Sequence, residues 1–166
     1  MEREATGGIQ GLCGVDSLEH RIDPRDTRFL ERSVHTEQRK VNPWQWQNQY
    51  SFSQAIEVSG ANKVLYCAGQ TSMDAEGRPV HVGDMARQVE LALKNLDTVL
   101  QAAGFTLANV VRLNYYTTDV EKFFGAYEVV AKHLAEGSCQ PSCTLLGVAR
   151  LAFPELMIEI EATAVK

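Results

Sequence analysis

The chain has 166 residues, 45% of them hydrophobic and 22% charged, with a formal net charge of −5, which suits one globular domain with a sizeable core and no long-range attraction to polyphosphate. No basic cluster with interleaved aromatics tracks a nucleic-acid backbone, no apolar run approaches the ~20 residues that span a bilayer, and Cys13, Cys67, Cys139 and Cys143 are too sparse for a disulfide scaffold. Without a basic stretch and apolar core at the N-terminus, the expectation is a cytoplasmic protein with reduced thiols and neither a nucleic-acid nor a membrane partner.

Residues 1 to about 42 mix acidic and basic side chains with glycine and show no sustained period, so they read as a flexible arm or extension ahead of a domain at 43–166. Arg28, Phe29, Leu30 and the run Pro43 to Trp46 are candidates to dock on that domain, since neighbouring tryptophans are costly to leave in water; plain packing is the simplest account. Tyr50 to Ser59 alternates imperfectly and Lys63 to Ala68 is a short apolar run after Gly60-Ala61-Asn62, which together suggest a first hairpin. Asp84 sits at a cap position ahead of Met85, Val89, Ala92, Leu93, Leu96, Val99, Leu100 and Ala103. This spacing predicts a long amphipathic helix closed by Gly104. Asn109 to Thr118 reads as a strand with Val111, Leu113 and Tyr115 on one face, and Phe123, Phe124, Tyr127, Val130, Ala131 and Leu134 form the stripe of a second helix ended by Gly137. Two more strand runs, Cys143 to Leu151 and Met157 to Val165, flank a Phe153-Pro154 turn and read as a second hairpin. In the last run Ile158, Ile160, Ala162 and Ala164 alternate with Met157, Glu159, Glu161 and Thr163, so one face is apolar and the other carries two carboxylates.

The order is therefore β-β-α-β-α-β-β, an α+β arrangement with both helices on one face of a mixed sheet. Alternate faces of several strands are apolar, more than two helices of one chain can cover, which points to self-association.

The segment PSCTLLGVARLAFPELMIEIEATAV from Pro141 to Val165, with CAGQTSMDAEGRPV at Cys67, GDMARQVELALKNLDTVLQAAG at Gly83 and YYTTDVEKF at Tyr115, resembles the RidA/YjgF family of reactive-intermediate deaminases over roughly Ser51 to the C-terminus. The resemblance implies a chorismate-mutase-like fold, a homotrimer with a barrel-like core and ligand clefts between subunits. It also implies hydrolysis of an enamine or imine to a ketone and ammonia with no metal or organic cofactor. Ribonuclease activity is associated with parts of the family, but the negative charge argues against it here. Typical members carry an arginine two residues after the proline, a planar fork for the substrate carboxylate. Counting from Pro141 to Val148-Ala149-Arg150-Leu151 without a gap, that position is Cys143. Arg150 lies an odd number of residues further on, so in a regular strand it points to the other face, and it reads as structural.

The resemblance places Glu159 at the water-handling glutamate, whose pKa would rise on burial beside Cys143; a solvated strand residue is the other reading. Gly69 and Gln70 match a Gly-Gln turn where the backbone approaches the ligand, though a tight turn alone also explains the glycine. Phe52 falls where many members place a tyrosine and Tyr127 where members often have an asparagine, with core packing the competing role for Tyr127. Cys143 reads as a wall or filler residue, as a catalytic nucleophile, or as a redox or metal thiol. The spacing of Cys139 and Cys143, without a second ligand pair, is a weak zinc signal, and no metal is expected. Two functions follow: an enzyme acting on a carbon–nitrogen substrate other than a 2-imino acid, with Glu159 and water and with Cys143 as a possible participant, or a non-catalytic trimer that binds a metabolite or acts as a chaperone-like module.

Overall fold

The computed structural model describes residues 35–166; Arg28, Phe29 and Leu30 lie outside the described residues. Six strands, β1 (Glu37–Val41), β2 (Ala55–Ser59), β3 (Val64–Thr71), β4 (Val110–Thr117), β5 (Ser142–Gly147) and β6 (Ile158–Val165), combine with three helices, α1 (Met85–Ala102), α2 (Val120–Gly125) and α3 (Tyr127–Glu136).

The first helix forms as its pattern predicts. The Asp84 side chain accepts from the Arg87 backbone N–H at 3.1 Å, satisfying one open donor of the first turn. At the other end Gly104 takes a φ of +73°, while its N–H reaches the Gln101 carbonyl at 2.9 Å and the Phe105 N–H reaches Leu100 at 2.8 Å. This double closure needs a left-handed residue, which glycine supplies without a Cβ penalty. Met85, Val89, Ala92, Leu93, Leu96 and Leu100 are buried against the sheet. The second predicted helix is divided: α2 stops at Gly125, and Ala126, with φ −103° and ψ 3°, starts α3. A continuous apolar stripe conceals this break, because glycine interrupts the helix without interrupting the pattern.

The main sheet has the order β3-β6-β4-β5, with β6 antiparallel to both neighbours and β5 parallel to β4. Neither predicted hairpin forms. The pair β4 and β5 is linked through α2 and α3, and a helical crossover demands parallel strands; β4 then lies between β5 and β6, and residues 148–157 carry the chain past it. A proline turn between two alternating runs specifies the strands and not their partners. At the other end β2 pairs antiparallel with β1, not β3. Strand β1 falls within the stretch read as an arm, where its mostly exposed sequence EQRKV has no apolar period to announce it.

The two predicted helices, the second realised as α2 and α3, cover one sheet face, as expected. Ile158, Ile160, Ala162 and Ala164 of β6 are buried there while Glu159, Glu161 and Thr163 face away. In β4 a register shift between Val110 and Arg112 puts Val110, rather than Val111, into the core with Leu113 and Tyr115. Fully buried Gln88 ties α1 to the entry of β6: its Nε2 donates to the carbonyls of Glu155 at 2.8 Å and His81 at 3.2 Å, and its Oε1 accepts from the Met157 N–H at 2.7 Å. No helix among the described residues is long and apolar enough to cross a membrane.

Candidate functional site

The segment before β2 is stitched to the edge strand β5. The Ser53 N–H donates to the Pro141 carbonyl at 2.8 Å, its Oγ donates to Gln140 O at 2.8 Å, and Gln140 Nε2 donates to the Phe52 carbonyl at 3.3 Å. These bonds set Phe52 beside Cys143. A cavity of about 390 Å³ opens there, lined by Trp46, Phe52, Tyr115, Tyr127, Cys143 and Leu145 among others. Phe52 meets Trp46 edge-on with centroids 5.9 Å apart and stacks on Tyr50 at 6.5 Å. The Tyr127 hydroxyl donates to the Tyr50 carbonyl and so pins the start of α3 to this segment. Among the described residues no charged side chain lines the cavity.

Cys143 is half-buried, and its thiol faces the Pro141 carbonyl at 3.7 Å. Burial pushes it up to about 12, and the opposing influence of Tyr115 and Arg112 does not offset this. Cys139 is also pushed up to about 12 by burial. Both thiols therefore stay protonated at neutral pH, the opposite of the low-pKa environment that activates a nucleophile. Among the described residues no group of His, Cys, Asp and Glu side chains is arranged to hold a metal.

Glu159 lies on the other face of the sheet. In the β4 register Cys143 stands opposite Leu113 on the helix-covered side, while Glu159 stands opposite Tyr116 on the open side. Within one chain strand parity therefore puts the sheet between Glu159 and Cys143, so one copy does not bury the carboxylate beside that thiol. Burial nevertheless raises the Glu159 carboxyl above the ordinary carboxylate value, with neighbouring Glu161 adding to it. The carboxylate packs on Gly69, where a Cβ would come within 1.8 Å of Oε1. That approach coincides with a break in the β3 register between Cys67 and Gln70. Around it Glu161 accepts from Tyr116 Oη at 2.8 Å and Asn114 Nδ2 at 3.3 Å. Arg150, beyond the end of β5, lines a cavity of about 300 Å³ with Glu159, Glu161 and Tyr116.

The predicted residues thus fall into separate groups. Phe52, Tyr127 and Cys143 share the aromatic cleft; Glu159 and Gly69 meet on the open face. Gln70 joins neither: it stands opposite Ile160, on the helix-covered side by register, and its amide donates to the Ala68 carbonyl at 3.2 Å. Sequence reasoning missed Trp46 and Tyr115 as cleft residues and Tyr116 as the neighbour of the carboxylates. Tyr115 counted as core by its period, and nothing in its spacing marks the position of its hydroxyl.

The Endoribonuclease L-PSP family matches residues 45–166. A RutC family protein of Pyrococcus horikoshii is 34% identical over 115 residues, covering 69% of this chain and 86% of its own length. The 2-iminobutanoate/2-iminopropanoate deaminase of Rattus norvegicus is 34% identical over 116 residues, covering 70% of this chain and 80% of its own length. Among solved structures, a protein of the conserved Rid family from Yersinia pestis superposes with a TM-score of 0.71 at 34% identity, over 78% of this chain and 98% of its own. E. coli TdcF with bound serine superposes with a TM-score of 0.58 at 25% identity, over 69% of this chain and 87% of its own.

Proposed function

The chain belongs to the RidA/YjgF family, the Endoribonuclease L-PSP group, and from that premise we propose that it hydrolyses an imine or enamine lacking a carboxylate, in a cleft completed between two copies of a homotrimer. The observation that carries this reading is the placement of Glu159 on Gly69 at the open sheet face, with Cys143 and its uncharged aromatic cleft on the opposite side. Within one chain these parts cannot meet. A neighbouring copy packed on the open face brings one group to the other, and it also covers the apolar side chains exposed there.

The chemistry needs water and one carboxylate. Glu159 accepts a proton from water as the oxygen bonds to the imine carbon and the C=N electron pair moves to nitrogen, which takes up that proton from the Glu159 carboxyl. As the resulting carbinolamine collapses to the carbonyl, Glu159 takes the hydroxyl proton and returns it to the nitrogen, the C–N bond breaks and ammonia leaves. A carboxyl with a raised pKa suits both taking and returning the proton near neutral pH. Cys143, held as a neutral thiol, acts as a wall of the cleft and not as the nucleophile. On the aromatic wall itself no cation stands to pair a 2-imino acid's carboxylate, a costly desolvation, whereas Arg150 lies on the Glu159 side.

The test is ammonia release from freshly generated 2-iminobutyrate and from carboxylate-free imines formed in situ by amine oxidation. The wild type is expected to accelerate the second group and not the first. Cys143→Arg is expected to gain 2-iminobutyrate turnover, and Glu159→Gln to abolish both. Inactivity of folded, oligomeric protein toward every imine would favour the metabolite-binding or chaperone-like alternative.

A further inference from the structure

The aromatic cleft holds one polar group that the fold does not use. Tyr115 is 2% exposed, and its hydroxyl makes no hydrogen bond of standard geometry among the described residues. It lies near the Cys143 thiol without making a bond of standard geometry. Burial keeps the phenol protonated, a donor that faces the Cys143 thiol. Leaving such a group unpaired in an apolar site is costly, and native structures seldom do so without a functional reason. The other hydroxyl set deep in the wall, that of Tyr127, is already bonded to the Tyr50 carbonyl.

The remaining wall is mostly ring surface, including Trp46, Phe52, Phe123 and Phe124, and a cavity of about 390 Å³ falls in the lower part of the range for small-molecule sites. Flat faces stack on flat faces, and a wall without cations discriminates against anions. We propose that this cleft selects a flat, uncharged ring compound whose hydrogen-bond acceptor receives the Tyr115 hydroxyl. This deepens the preceding reading, since it names the substrate class of the same cleft. Tyr115 is a specificity residue that contacts the ligand, whereas Glu159 performs the proton transfer.

The experiment measures binding of benzamide, benzoate and ethylbenzene to the full chain by calorimetry, and by the fluorescence of Trp46 with Trp44→Phe as background. Benzamide is expected to bind at least ~10-fold more tightly than benzoate, because only the anion loses solvation without a counter-charge. Tyr115→Phe, which keeps the ring, is expected to weaken benzamide ~5- to 10-fold and to leave ethylbenzene unchanged, the signature of one lost hydrogen bond. Equal affinity for benzoate, unchanged benzamide binding in Tyr115→Phe, or no benzamide binding at millimolar concentration would each overturn the proposal. Tyr115-dependent binding without turnover would leave this inference standing and remove the hydrolase reading; turnover of neutral imines that benzamide does not inhibit would do the reverse.

Discussion

At Gly69 a methyl carbon would sit 1.8 Å from Glu159 Oε1, so the glutamate side chain would have to move. Gly69→Ala is expected to push the carboxylate off its seat and cut turnover by at least ~10-fold with the chain still folded, a result checked by kinetics alongside circular dichroism. Glu159 also makes a signed prediction about stability. Its folded pKa is raised, so the native state binds more protons than the unfolded one between the two pKa values, and stability falls as pH rises through that window. Glu159→Gln should therefore raise Tm at pH 7, and the gain should shrink below pH ~4, where the carboxyl is protonated in both states. A Tm difference independent of pH would contradict the buried-carboxyl account. Cys143→Ser should retain most activity, because a thiol pushed up to about 12 contributes no thiolate; loss of all turnover with the fold intact would restore the nucleophile. The identities of Glu159, Gly69 and Cys143 as site candidates were legible from motif positions. Their separation by the sheet was legible only in part: alternation gave Glu159 its face, but the face of Cys143 depends on how β5 registers with β4.

Elements were read more securely than their pairings. Helix α1 matches its predicted cap, stripe and glycine closure because all three are local in sequence. The partners of β2 and β5 are not local: β2 pairs with a charged, exposed strand, and β5 is drawn to β4 by the α2–α3 crossover. Gln88 shows the same limit. A polar residue inside an apolar helix stripe carries no sequence signal of purpose, yet its side chain makes three hydrogen bonds, two of which hold residues 155 and 157 against α1. Gln88→Leu should cost about 3 kcal/mol, since a buried amide's bonds are lost and backbone groups are left unpaired, read by urea denaturation. Faster hydrogen exchange of the Met157 amide should accompany it. Two exposed tryptophans also depart from the packing expected of them: Trp44 is 62% exposed and Trp46 57%. Trp46 is accounted for by its place on the aromatic cleft; nothing among the described residues covers Trp44.

For the whole molecule the open sheet face decides the argument. Tyr66, 80% exposed, stands with Val64 on a face that also bears Tyr116, Leu146 and the two carboxylates. A covering copy of the chain would bury this surface and bring Glu159 toward a neighbour's cleft. Sedimentation equilibrium at micromolar concentration should show a trimer, and Tyr66→Glu, which adds like charge beside Glu159 and Glu161, should shift it toward monomer and reduce turnover in step. A wild-type monomer would remove the shared cleft.

What the sequence determined by itself was whatever is encoded within a few residues or in ordered motifs: the family, the helix α1 with its ends, the apolar face of β6, the cysteine at position 143 and the net negative charge. Tertiary structure decided which strands adjoin, which sheet face each candidate occupies, and which buried hydroxyl makes no hydrogen bond of standard geometry among the described residues. Those outcomes rest on contacts between residues far apart in the chain, such as Ser53 with Pro141 or Gln88 with Met157, and periodicity carries no record of the partner a side chain will meet.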